Sequence, residues 1–203
     1  MKSVRWLFIL SLGLFVLGCA KAGTYSLFLQ YQPTKEFPSL QTKTGSHMGI
    51  VPIKDERPET LYIGLHTNLQ GDRSYFKSQP FPLEKAIQES LSEVLSRYGI
   101  KTVPIANWDG NPESLRDRET DSVLMIEIER FWTEGKAYPF RTTTKIGVRF
   151  LIHLGVKKEG KVYTRDVEME KEITEARSTP EKVEVMLNQI LAVVFDSYFS
   201  NPY

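Results

Sequence analysis

The residues in this sequence that could carry chemistry fall into a few small groups, and each has a spacing that can be weighed. The three histidines, His47, His66 and His153, lie far apart and lack the spacing that places two imidazoles on one metal. His153 alternates with the apolar side of a strand-like pattern and reads as a solvated or edge position. A serine nucleophile needs a base beside it and, in the common case, a Gly-x-Ser-x-Gly turn between strand and helix. No such segment occurs, and no glycine run resembles a phosphate loop. Glu127 and Glu129 stand two apart, a pairing of the carboxylate type that glycoside chemistry uses, but a solvated strand face accounts for them more simply. The expectation is therefore no catalytic residue, no metal and no cofactor.

Two other clusters stand out. Asp55, Glu56 and Arg57 end an apolar run, where an aspartate can bond nearby amides and an arginine can bridge carbonyls or a carboxylate. Asp55 and Arg57 are accordingly expected to fix a turn. Phe131, Trp132, Tyr138 and Phe140 surround Gly135 in what reads as a hairpin tip, and aromatic residues of this kind are favoured at interfaces. These four are the candidate partner contact.

The sole cysteine, Cys19, has an unusual address. Lys2 and Arg5 precede an apolar run of twelve residues, 6–17, which ends at Gly18 directly before Cys19. That is the grammar of an export signal, and the run is too short for a permanent span, which takes roughly twenty residues. The segment resembles a bacterial lipobox, whose cysteine is acylated and becomes the new N-terminus after cleavage. Residues 1–18 are then a signal peptide, 19–24 a lipidated N-terminus with a short linker, and 25–203 one domain. Ala20 and Lys21 follow the cysteine, without the aspartate that retains many such proteins in the inner membrane, which implies the periplasmic face of the outer membrane. A linker of this length reaches at most about 17 Å when extended.

Length and composition set the remaining bounds. With 203 residues, 41% of them hydrophobic and 25% charged, the chain has the profile of a globular domain and not of a disordered one. One cysteine excludes a disulfide framework. The net charge is +1, and loss of Lys2 and Arg5 with the signal turns it to −1. Neither value suits a nucleic-acid binder, and attachment to membrane must come from acyl chains, at about 0.8 kcal/mol per CH₂.

The elements that must position these residues are legible by period. Strands are predicted over 24–32, 48–54, 61–65, 100–105, 122–132, 142–156 and 162–173, with 33–47 and 106–121 as loops. Pro52 suggests an edge strand. Helices are predicted near 82–98, with Pro82 in the first turn and Gly99 ending it, and near 180–199, with Thr179 as N-cap and Pro180 after it. Two amphipathic helices and a sheet with one apolar face bury each other, which predicts an α+β two-layer sandwich with a mostly antiparallel sheet and both helices on one face.

Taken together, the Cys19 lipobox, the strand at 25–31, the run 50–57 followed by Tyr62, Ile63 and Gly64, the helix ending in Arg97, Tyr98 and Gly99, and the strand 124–131 resemble the YajG-like family of small bacterial lipoproteins. The same element order resembles auxiliary lipoproteins of envelope lipid transporters and of lipopolysaccharide assembly. The family implies no catalytic residues. The functional expectation is a lipid-anchored, non-enzymatic envelope protein that binds a protein partner or serves as an accessory subunit. The competing expectation is a carrier of lipid or cell-wall fragments in an apolar pocket. Metabolic labelling with a clickable fatty acid should mark the intact chain and leave Cys19→Ser unmarked; an intact chain that stays unmarked removes the anchor.

Overall fold

Seventeen consecutive residues, Ser122–Tyr138, form one strand about which the other strands of a nine-stranded sheet are arranged. The computed structural model describes residues 23–202, so the segment read as a signal peptide and Cys19 lie outside the described residues. In chain order the elements are β1 (Thr24–Phe28), α1 (Leu40–Thr44), β2 (His47–Ile50), β3 (Lys54–Asp55), β4 (Gly64–Thr67), β5 (Arg73–Gln79), α2 (Leu83–Arg97), β6 (Lys101–Pro104), β7 (Ser122–Tyr138), β8 (Arg141–Val156), β9 (Lys161–Glu175) and α3 (Pro180–Ser200).

One edge of β7 pairs with antiparallel β8 from Ser122 to Tyr138, and β8 pairs in turn with antiparallel β9. The other edge of β7 is shared by three short parallel strands: β2 against Ser122 to Leu124, β3 against Glu127 and Ile128, and β4 against Thr133 to Lys136. Beyond them β6 flanks β2, while β5 and then β1 extend the sheet from β4. The long ladders are antiparallel, as expected. The short ones are mostly parallel, which periodicity does not reveal, because it reports the face of a side chain and not the direction of its neighbour.

The pairing of β7 with β8 slips by one residue between Ile128 and Arg130. This bulge at Glu129 exchanges the two faces of the strand. Leu124, Ile126 and Ile128 point inward before it, and Phe131, Thr133 and Gly135 are the buried positions after it. Opposite them β8 keeps a single phase, burying Ile146, Val148, Phe150, Ile152, Leu154 and Val156.

Both long helices cover this face in one continuous core. On α2, Leu83, Ala86, Ile87, Leu91, Val94 and Leu95 are buried at helical spacing. On α3, Val183, Leu187, Ile190, Leu191, Val194 and Phe195 do the same, and the Phe195 ring lies 5.3 Å from Tyr31 and 5.6 Å from Phe150 between centroids. Thr179 caps α3 through its side chain, with Pro180 beginning the helix. The result is the expected α+β two-layer arrangement.

Several local expectations need correction. Segment 33–47 contains α1 and contributes Phe37 and Leu40 to the core. Segment 106–121 folds over the opposite face of the sheet, where Trp108 and Leu115 form a second small cluster with Val51 and Val123. β5 is unexpected, since its alternation sets Ser74 and Ser78 in phase with Phe76 and so carries little apolar signal. β2 lies inside the sheet between β7 and β6, and Pro52 falls in the break between β2 and β3, where no ladder bond is lost. Gly135 lies within β7, and the hairpin tip is Pro139 and Phe140.

Leu187 is fully buried on α3. Leu187→Ala should cost about 2–5 kcal/mol in denaturant titration, and Leu187→Asp should leave no folded fraction by circular dichroism. Melting unchanged by the charged variant would mean that this face of α3 is not packed.

Candidate functional site

The Asp55–Arg57 turn sits where β7 lacks a strand partner. β3 ends at Asp55 and β4 begins at Gly64, leaving the stretch of β7 around the bulge and Phe131 uncovered. Arg57 fills that gap. Its Nε donates to Asp55 Oδ1 at 2.8 Å and its Nη2 to Asp55 Oδ2 at 2.7 Å, a two-pronged carboxylate contact. Its Nη1 donates to the carbonyls of Tyr62 and Phe131, both at 3.0 Å, and Nη2 also reaches the Thr60 carbonyl at 3.4 Å. Asp55 Oδ1 further accepts the backbone N–H of Arg57 at 3.3 Å. The two side chains are 3% and 6% exposed, so the pair is taken up by internal bonds and presents nothing to a ligand.

The four aromatic candidates do not form one patch. Phe131 is fully buried, its ring 6.3 Å from Phe150, because the bulge turns it into the core; as a partner contact it is corrected. Trp132 takes the opposite face of the sheet, half-buried beside Gly147 and Arg130. A Cβ on Gly147 would come within 2.5 Å of Arg130 Cζ, so glycine lets the guanidinium lie against the sheet there. Arg130 pairs with Glu170, Lys145 with Glu172 at 3.3 Å, and Arg149 with Asp166 at 2.5 Å, giving a flat, ion-paired surface around the indole. Tyr138 is 38% exposed near the end of β7, and Phe140 is 98% exposed at the tip.

At that tip the sheet forms an open groove of about 640 Å³, lined by Tyr25, Leu69, Phe76, Tyr138 and Phe140, among others. His66 also lines it, and burial pushes its imidazole below the ordinary value. The space between helices and sheet is filled by side chains such as Phe131, Phe150 and Phe195.

One buried polar cluster has no counterpart in the sequence reading. Asp196, 1% exposed on the apolar side of α3, accepts from the Tyr31 hydroxyl at 2.7 Å and from the Thr34 N–H at 2.9 Å. Burial and the adjacent Asp196 carboxylate hold the Tyr31 phenol well above its ordinary range. The cluster ties α3 to the segment after β1. Its only sequence signal is an acid among apolar residues at helical spacing. Among the described residues no group of His, Cys, Asp and Glu side chains could hold a metal ion. Glu129 sits on the bulge and pairs with Arg149 at 3.0 Å.

No family model matches the chain, and no curated protein matches it in sequence. Among solved structures, the chain is similar to protein XCC0632 of the DUF330 family from Xanthomonas campestris. The two are 12% identical with a TM-score of 0.56, over 87% of this chain and 92% of that one. This likeness shows a shared fold. Lipoprotein GNA1162 from Neisseria meningitidis is a more distant structural neighbour, 15% identical with a TM-score of 0.40, over 75% of this chain and 96% of that one. PelC from Paraburkholderia phytofirmans, crystallised as a dodecamer, is 18% identical with a TM-score of 0.39, over 75% of this chain and 87% of that one. No helix among the described residues is long and apolar enough to cross a membrane.

Arg57→Ala leaves the Asp55 carboxylate and the Tyr62 and Phe131 carbonyls without their donor and should destabilise the domain by about 3–5 kcal/mol in urea titration. Arg57→Lys should recover only part of this, because an ammonium cannot make the planar two-pronged contact. A loss within experimental error for Arg57→Ala would show that the guanidinium does not hold this edge.

Proposed function

We propose that the protein is a lipid-anchored, non-enzymatic accessory subunit of the bacterial envelope, held through Cys19 to the periplasmic face of the outer membrane and binding a protein partner, in the manner of the YajG-like lipoproteins it resembles. The observation that carries the partner reading is the placement of Trp132. The face of β7–β9 opposite the helices is covered at one end by Trp108 and Leu115; toward the other end Trp132 lies among the charged pairs Arg130–Glu170 and Lys145–Glu172. An aromatic anchor surrounded by a polar rim is the anatomy of a protein interface, and a tryptophan there often contributes more than about 2 kcal/mol.

The lipobox-like segment ending at Cys19 supports the address, and the shared fold with a bacterial protein of the DUF330 family is consistent with it. Chemical crosslinking in intact cells should capture a defined envelope protein with the wild type, and Trp132→Ala should weaken that capture while melting changes little. Loss of melting temperature with undiminished capture would make Trp132 a packing residue and refute the assignment. Native mass spectrometry of the detergent-extracted protein supplies the other arm: a stoichiometric lipid or glycan bound beyond the acyl chains on Cys19 would favour a carrier.

A further inference from the structure

Four exposed apolar side chains converge at one end of the molecule. Phe140 is 98% exposed, Leu69 58%, Tyr25 39% and Tyr138 38%, and all four line the groove at the tip of the β7–β8 hairpin. The strand registers bring them there: Thr67 of β4 lies beside Lys136 of β7 and Arg73 of β5, and Tyr138 lies opposite Arg141. Phe140 also has a φ of 66°, a left-handed conformation that is costly for a bulky residue.

The described residues begin at this same end. The Gly23 carbonyl accepts from Tyr75 N–H at 2.9 Å, and Thr24 pairs with Tyr75, which fixes the start of β1 beside the β4–β5 turn. Gly23 follows Cys19 by four positions, a span of at most about 14 Å. Resting on the reading of Cys19 as the lipidation site, this brings the exposed tip within reach of the bilayer surface. The local charge agrees. Arg141 and Arg177 line the groove, and Lys136 and Arg141 lie over the Tyr138 ring at 5.6 and 5.4 Å. The acid lining the groove, Asp72, already bonds Asn68.

We infer that this end of the domain is a phospholipid-contact surface. Phe140 and Leu69 enter the boundary between headgroups and acyl chains, Tyr138 and Tyr25 lie at headgroup level, and Lys136, Arg141 and Arg177 meet lipid phosphates. Amphipathic aromatic rings and long basic side chains favour this interfacial depth. The acyl chains supply attachment, and the tip supplies orientation: β7 then rises from the bilayer and carries Trp132 about 20 Å above it, six residues up the strand from Tyr138.

The test uses the full lipidated chain reconstituted in vesicles of phosphatidylethanolamine and phosphatidylglycerol with brominated acyl chains. Phe140→Trp is compared with Phe81→Trp, an exposed position after β5 and outside the groove, and wild-type emission is subtracted. Blue-shifted, bromine-quenched emission at 140 with water-like emission at 81 is the expected result. Water-like emission at 140 in chains that cofloat with the vesicles overturns the lipid contact, leaves the anchor in place and returns the tip to a protein partner. Equal quenching at both positions also overturns it, as unoriented adsorption. A wild-type chain that fails to cofloat, behaving like Cys19→Ser, overturns the anchoring reading beneath the proposal.

Discussion

One guanidinium holds together the edge on which half of the sheet is built. β7 offers β8 a continuous edge, but its other edge must serve β2, β3 and β4 in turn, and the Glu129 bulge interrupts it between the second and third. An interrupted strand edge inside a protein leaves backbone groups with neither water nor a neighbour, at a cost comparable to lost hydrogen bonds. Arg57 takes the place of the missing strand, bonding the Phe131 carbonyl on one side and the Thr60 and Tyr62 carbonyls on the other, with Asp55 neutralising its charge. The bulge and its arginine are one device, because the phase change is tolerable only where something else satisfies the freed carbonyl.

That phase change determines what the surface can do. Without the bulge, the alternation of Leu124, Ile126 and Ile128 would continue inward to Arg130 and Trp132 and put Phe131 outside. With it, Phe131 completes the core beside Phe150, Arg130 pairs with Glu170 in solvent, and Trp132 and Tyr138 share the outer face. The core and the candidate interface are thus sorted by a single inserted residue. The same strand carries the hairpin tip toward the end where β1 begins, which separates the proposed partner face from the proposed lipid contact along the length of β7.

Much of the architecture was legible because the strongest patterns are long. The period-two run in β8 and the helical faces of α2 and α3 fall where burial at spacings of two and of three to four requires. Asp55 and Arg57 were legible as a turn from their chemistry, although which carbonyls they reach depends on tertiary placement. Three features were hidden for physical reasons. β5 sets serines in phase with its apolar residue, the parallel ladders leave no mark on periodicity, and a bulge reads as a local fault in alternation unless the partner strand is known. That fault placed Phe131 beside Trp132 in one aromatic patch, when adjacent residues of a strand must face opposite sides. Asp196 was hidden differently, as a polar residue whose partners, Tyr31 and Thr34, lie at the other end of the chain.

The central claim is that the outer face of β7–β9 near Trp132 is the partner surface and that the helical side is not. A scan of a photo-reactive amino acid in intact cells, at Glu134 and Lys145 on that face and at exposed Val185 and Val193 on α3, tests it most directly. One protein captured from Glu134 and Lys145 and not from the helix is the expected pattern. Capture of that protein from Val185 and Val193 alone, or equally from all four positions, would contradict it.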